Sequence, residues 1–221
     1  MKKAEIAKRF GLFIVSLFFI GIGIALTKRA DIGISPISSV ANVISMRYTF
    51  FSFGTWTVCT YLVFLLGQIL LLRRQFKLFE LLQIPLSFLC GLFTDLGCWF
   101  AQFLPASSYV TKLLLVGGGS VILGLGITFG IIAGVMLNSP EAFVKALSIT
   151  TKKKFGNLKI LFDICMVTIA TILSLVLFDG KLLGVREGTV IAAVLVGCFV
   201  NIFSRLLREP LTKLLVPREG N

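Results

Sequence analysis

Six stretches of this chain stay apolar for about as long as a helix needs to cross a lipid bilayer, roughly 20 residues for a ~30 Å hydrocarbon core. No other feature narrows the fold as much. The stretches lie at 10–27, 52–72, 79–103, 113–137, 158–178 and 188–206. Each is a continuous run and not the period-2 alternation of a barrel strand, and in lipid only helices or closed barrels satisfy the backbone. The expectation is an all-α, polytopic membrane protein, one membrane domain over residues 1–221. Composition agrees: 57% of residues are apolar and 14% charged, with mean hydropathy +0.97, far from a soluble globular domain.

In a soluble chain the formal charge of +12 would suggest nucleic acid. Here Lys and Arg collect in the short connections between apolar runs, which is a topology signal and argues against nucleic-acid binding. With the N-terminus inside, Lys2, Lys3, Lys8, Arg9, Arg73, Arg74, Lys77, Lys145, Lys152–Lys154, Lys159, Arg205, Arg208, Lys213 and Arg218 fall on the cytoplasmic side. Only Lys28, Arg29, Arg47, Lys112, Lys181 and Arg186 fall outside. Both termini are therefore expected in the cytoplasm. Trp56 and Trp99, each about one turn inside the outer end of its span, suit the headgroup level.

The start resembles a secretory signal, basic and then apolar from Phe10 to Leu26, but "TKRAD" follows with no A-x-A cleavage pattern. It reads as an uncleaved first span. The five cysteines lie in apolar segments without C-x-x-C spacing, and there is no histidine. Neither a metal nor another cofactor is expected. No nucleophile–base pair or nucleotide-binding loop is present, since "GGGSVILGLG" lacks the Lys-Ser/Thr of a P-loop. An enzyme is not expected.

Similarity recurs at a separation of about 103 residues. "GIGI" (21–24) answers "GLGI" (124–127), "ISP" (34–36) answers "NSP" (138–140), and "LCGLFTDL" (89–96) answers "LVGCFVNI" (195–202). Residues 10–103 and 113–206 thus look like two copies of a three-span unit. Three is odd, so the second copy starts on the opposite side of the membrane. Inverted repeats of this kind are common in secondary transporters, whose sites lie between the halves.

Ser35-Pro36 and Ser139-Pro140 each precede a short apolar stretch, about 35–46 and 139–149. Serine at N-cap accepts a bond from an early backbone N–H, and proline at N1 removes a donor that would be orphaned anyway. A helix of this length spans about half the hydrocarbon core. Two readings are open: re-entrant half-helices whose N-termini approach each other and attract an anion or polar group, or interfacial helices with Arg47 and Lys145 on their polar faces.

The expected solute-binding residues are Ser35, Pro36, Asn42, Asn138, Ser139, Pro140, Asp95 and Asn201. Asp95 and Asn201 hold equivalent repeat positions, and an ionisable group at membrane depth is a functional hypothesis by default. Asp95 could bind a proton, a cation or an amine. Glu141 is a second coupling-ion candidate, although after Pro140 it also suits the helix dipole. Asp163 has a structural explanation in Lys159 at i,i+4, as Asp31 has in Arg29. Gly126, Gly130 and Gly134 make a smooth face for close helix packing or a rocking hinge, and a homodimer would use the same residues.

With these residues in hand, the chain resembles the YczE/YitT-like family of bacterial integral membrane proteins. "GIGIALTKRADIGISP" resembles that family's glycine-rich first span and G-x-x-P step, and "GLGITFGIIAGVMLNSPEAFVKAL" its central span and proline-led helix. "LFDGKLLGVREGTVIAAVLVGCFVNIF" resembles its last hairpin. The resemblance implies a bacterial cytoplasmic-membrane protein and supplies no substrate. The expectation is a small secondary transporter of a polar or anionic organic solute. The alternative is a non-transporting membrane partner or scaffold for a biosynthetic or signalling enzyme.

Overall fold

A computed structural model describes residues 3–215 of the chain. The expectations placed on Lys2 and Arg218 lie outside the described residues. These form eight α-helices and no strand: α1 (Lys3–Ala30), α2 (Pro36–Arg47), α3 (Phe53–Leu72), α4 (Gln83–Ala101), α5 (Tyr109–Ala133), α6 (Ser139–Thr151), α7 (Phe155–Leu177) and α8 (Glu187–Leu215). Two 3₁₀ turns, Arg73–Gln75 and Leu78–Leu82, join α3 to α4. All but α2 and α6 are long and apolar enough to cross a membrane, so this is a multi-pass membrane protein.

Below, the near face is the one at which α1 begins and the far face the one at which it ends. The span ends move where local chemistry overrides hydropathy. α5 stops at Ala133, short of the apolar limit at 137, because Gly134 turns left-handed (φ 62°) and closes the helix. α8 runs on to Leu215, past Arg205, Arg208 and Pro210, well beyond its apolar run.

α1 and α5 cross as an antiparallel central pair, brought close by glycine. A Cβ on Gly23 would lie 2.6 Å from the Leu123 amide nitrogen, and one on Gly126 would lie 2.8 Å from that of Ile20. The glycine face of α5 is therefore filled by α1 of the same chain. Around this pair the halves repeat a pattern: α4 flanks α1 as α8 flanks α5, and α2 packs on α7 as α6 packs on α3. Each short helix thus sits against a span of the other half.

The segment Asp31–Ser35 is a built break. Asp31 and Gly33 have positive φ (54° and 126°), and a Cβ on Gly33 would meet the Thr189 amide nitrogen at 2.4 Å. The Gly188 N–H donates to the Ile32 carbonyl at 2.8 Å, and the Ile34 N–H donates to Thr189 Oγ1 at 3.3 Å. The start of α8 thereby ties the strap down. α2 then runs outward, its Pro36, Ser38, Ser39, Ala41, Asn42 and Val43 buried, to the far ends of α1 and α7. There Lys28 Nζ donates to Ser45 Oγ at 3.1 Å and sits over the Phe53 ring. α2 is buried among the spans and does not lie along a surface.

α6 is held from below by side-chain amides. Gln68 and Gln83 bond reciprocally at 3.1 and 3.2 Å, and Gln68 Nε2 also donates to the Ser139 carbonyl at 3.2 Å. Trp56 donates to the Tyr48 carbonyl at 3.0 Å within an exposed aromatic cluster of Phe50 and Phe51, and Trp99 meets Phe100 and Phe103 edge to face. Such clusters fit the membrane–water boundary.

Candidate functional site

The N-terminal ends of α2 and α6 open onto one cavity of about 870 Å³. Ser35 to Ser38 line it from α2, Asn138 and Glu141 from α6, and Tyr61 from α3. Ile20 and Ile24 of α1 with Leu123 and Ile127 of α5 form its aliphatic back wall. Ala193, Val196, Gly197, Val200 and Asn201 present one stripe of α8 to it, and Phe155, Gly156, Lys159, Ile160 and Asp163 one stripe of α7.

The expected residues divide. Ser35, Pro36, Asn138 and Asn201 line the cavity, as does Glu141. Asn42 does not: it lies two turns further along α2, where its Nδ2 donates to the Gly184 carbonyl at 3.2 Å. Ser139 and Pro140 are buried behind the lining, and Ser139 Oγ bonds with Ser87 Oγ at 3.3 Å.

Asp95 is also elsewhere, for a definite reason. Its Oδ1 accepts from the Gly54 N–H at 2.7 Å and its Oδ2 from the Ser52 hydroxyl. The carboxylate thus caps the start of α3, where a negative charge complements the helix end. It stands outside the cavity as a latch between α4 and α3.

The serine caps differ from expectation too. Ser35 holds the N-cap position of α2 but makes no side-chain cap bond, its hydroxyl going to Ser38 Oγ at 3.2 Å. At α6 the cap residue is Asn138, likewise without a side-chain bond, and Ser139 is already helical. The first amides of both helices are therefore left without a capping side chain at the cavity.

Four charged residues line the cavity, and of these Lys159 and Asp163 pair with each other while Lys145 and Glu141 make no ion pair among the described residues. Glu141 is the third residue of α6, and its Oε2 is buried without a hydrogen-bond partner. α6 does not span, and burial is the largest influence on this carboxyl, pushing it above its ordinary range while the Lys159 ammonium pulls it down. Lys159 is bonded to Asp163, the i,i+4 pair expected from spacing. Asp31 makes no such pair with Arg29, whose guanidinium donates to the Leu104 carbonyl at 3.0 and 3.1 Å.

Spacing had not singled out Tyr61, Gly156 or Gly197 for the site. A signal existed: Phe53-Gly54 recurs as Phe155-Gly156, at nearly the offset of the other matches. In the first half Gly54 sits on Gly91, so close that a Cβ on Gly54 would lie 2.1 Å from the Gly91 carbonyl oxygen. In the second half the corresponding Gly156, Gly197 and Asn201 all face open space. α3 packs along α4, whereas α7 and α8 scarcely touch.

Compared with known proteins, residues 7–205 match the model of a family described as a family of unknown function, DUF6198. The chain belongs to that family. No curated protein and no solved structure matches it. Among the described residues no cluster of His, Cys, Asp or Glu is placed to hold a metal ion.

Proposed function

We propose that this chain is a small secondary transporter in the bacterial cytoplasmic membrane. In this reading the near face and both chain ends are cytoplasmic, following the distribution of Lys and Arg. Two inverted three-span halves, 10–103 and 113–206, alternate access to a small organic solute whose polar or charged group is held where α2 and α6 begin. Kinship with the YczE/YitT-like proteins belongs to the same proposal and rests on the motifs quoted above.

One observation supports this reading above the others: equivalent pairs of helices stand in opposite states. The α3–α4 pair is shut, with Gly54 on Gly91 and Asp95 across the seam. The α7–α8 pair is parted, and the cavity lies between its glycines. A transporter open to one side has this asymmetry, and trading the two states would open it to the other. The solute then binds at a site that neither half completes alone.

Cysteine accessibility tests the proposal. In a background with the five native cysteines replaced, Asn201→Cys should react with a membrane-impermeant maleimide from the near face, and Val58→Cys should be protected. Adding Gly54→Ala should expose Val58→Cys to the far face and protect Asn201→Cys in step. If Asn201→Cys reacts equally whatever is done to the α3–α4 seam, the two ends are uncoupled and a static partner protein is the better description.

A further inference from the structure

Helix N-termini that face a cavity favour an anion, but at α6 the chain already supplies one. The Glu141 carboxylate stands in the first turn of α6. Among the described residues its Oε2 is the one buried side-chain nitrogen or oxygen without a hydrogen-bond partner. The neighbouring cations do not answer it: Lys159 is bonded to Asp163, and Lys145, one turn along α6, lines the same cavity but is exposed and makes no ion pair with Glu141. Facing it from α3 and α4 are Tyr61 and Cys90, which bring no positive charge. A buried, unpartnered carboxylate oxygen in this position calls for a cationic donor or a proton. In the same cavity Ile24, Leu123, Ile127 and Val196 offer a continuous run of aliphatic surface.

We propose that the ligand of this cavity is a small hydrophobic amine, a primary or secondary ammonium on an apolar body, whose N–H donates to Glu141 while the body lies on the aliphatic wall. Amine and proton compete for the same carboxylate, so binding one releases the other. The site stands on geometry alone. Its use, exchange of an amine for a proton, rests on the transport reading above.

Phenethylamine, 2-phenylethanol and 3-phenylpropanoate, titrated into the detergent-purified full chain and followed by calorimetry and thermal unfolding, separate the possibilities. Phenethylamine should bind saturably and raise the melting temperature, with affinity falling as the pH is lowered and Glu141 takes up a proton. The alcohol and the carboxylate should not bind. Glu141→Gln should weaken the amine by about 10- to 100-fold, the loss expected for a hydrogen bond to a charged group. Binding of the carboxylate instead, or unchanged amine affinity in E141Q, overturns the proposal.

Should E141Q fail to fold, calorimetry of the unaltered chain in two buffers of different protonation enthalpy decides. On the acid side of the affinity profile, amine binding must release a proton, and its absence overturns the proposal. Amine binding without coupled cysteine labelling supports this site and removes the transport reading. Coupled labelling without amine binding does the reverse.

Discussion

The α3–α4 seam and the α7–α8 gap are built from matching residues, yet one is closed and the other parted. Gly54 and Gly91 let two backbones touch, and Asp95 fastens the contact by accepting from the Gly54 N–H. The matching Gly156 and Gly197 have the same smoothness and do not meet. The residue matching Asp95 is Asn201, which faces the cavity. Small residues permit close approach, and a charge-assisted cap makes it persist. The second half has the first of these without the second.

That contrast breaks most severely at Gly54. Gly54→Ala places a Cβ 2.1 Å from a backbone oxygen and 2.6 Å from the Asp95 carboxyl. It should cost about 1–3 kcal/mol, as overpacking does, read as a lower melting temperature. Gly197→Ala meets nothing within 4 Å and should stay within about 0.5 kcal/mol of the parent. Equal effects at the two glycines would erase the distinction between seam and gap.

Gln68→Ala strips Gln83 and the Ser139 carbonyl of their partner. It should cost about 1–2 kcal/mol and speed hydrogen exchange in α6 ahead of α2, because only α6 is seated on that amide pair. Asp95→Asn keeps the shape of the latch and removes its charge. A loss of about 1 kcal/mol in chemical unfolding is expected, with Val58→Cys becoming reactive from the far face.

Asn201→Asp is the mildest change. It should move stability by less than about 0.5 kcal/mol while giving the second half the acid that the first half uses. Spin labels at Lys153 and Arg208 should then show a larger population of short distances across the gap. An unchanged distribution would mean that the acid follows closure and does not drive it.

The spans could be read from the sequence because lipid imposes one length and one polarity on every crossing segment. Their ends could not be read as well, since a single left-handed residue such as Gly134 outweighs the three apolar positions beyond it, Val135 to Leu137. Ser35, Pro36 and Asn138 were legible as site residues because proline-led helix starts carry a local signature, and Asn201 because it answers Asp95 in the repeat. Asp95 looked like a membrane-depth acid because its partner, the Gly54 N–H, is 41 residues away and no side-chain pattern marks it. Glu141 was visible as a helix-dipole carboxylate, but its lack of a partner depends on where α3, α4 and α7 come to rest.

The crossed seating of the short helices also has a consequence for biosynthesis. α2 rests on α7, and the Ser39 hydroxyl reaches the Met166 carbonyl 127 residues later. Ile34 waits still longer, for Thr189. When the first four helices have left the ribosome, the strap and its polar half-helix have no seat, and lipid gives their backbone groups no substitute. The nascent first half must therefore be sheltered by the insertion machinery until the second half emerges.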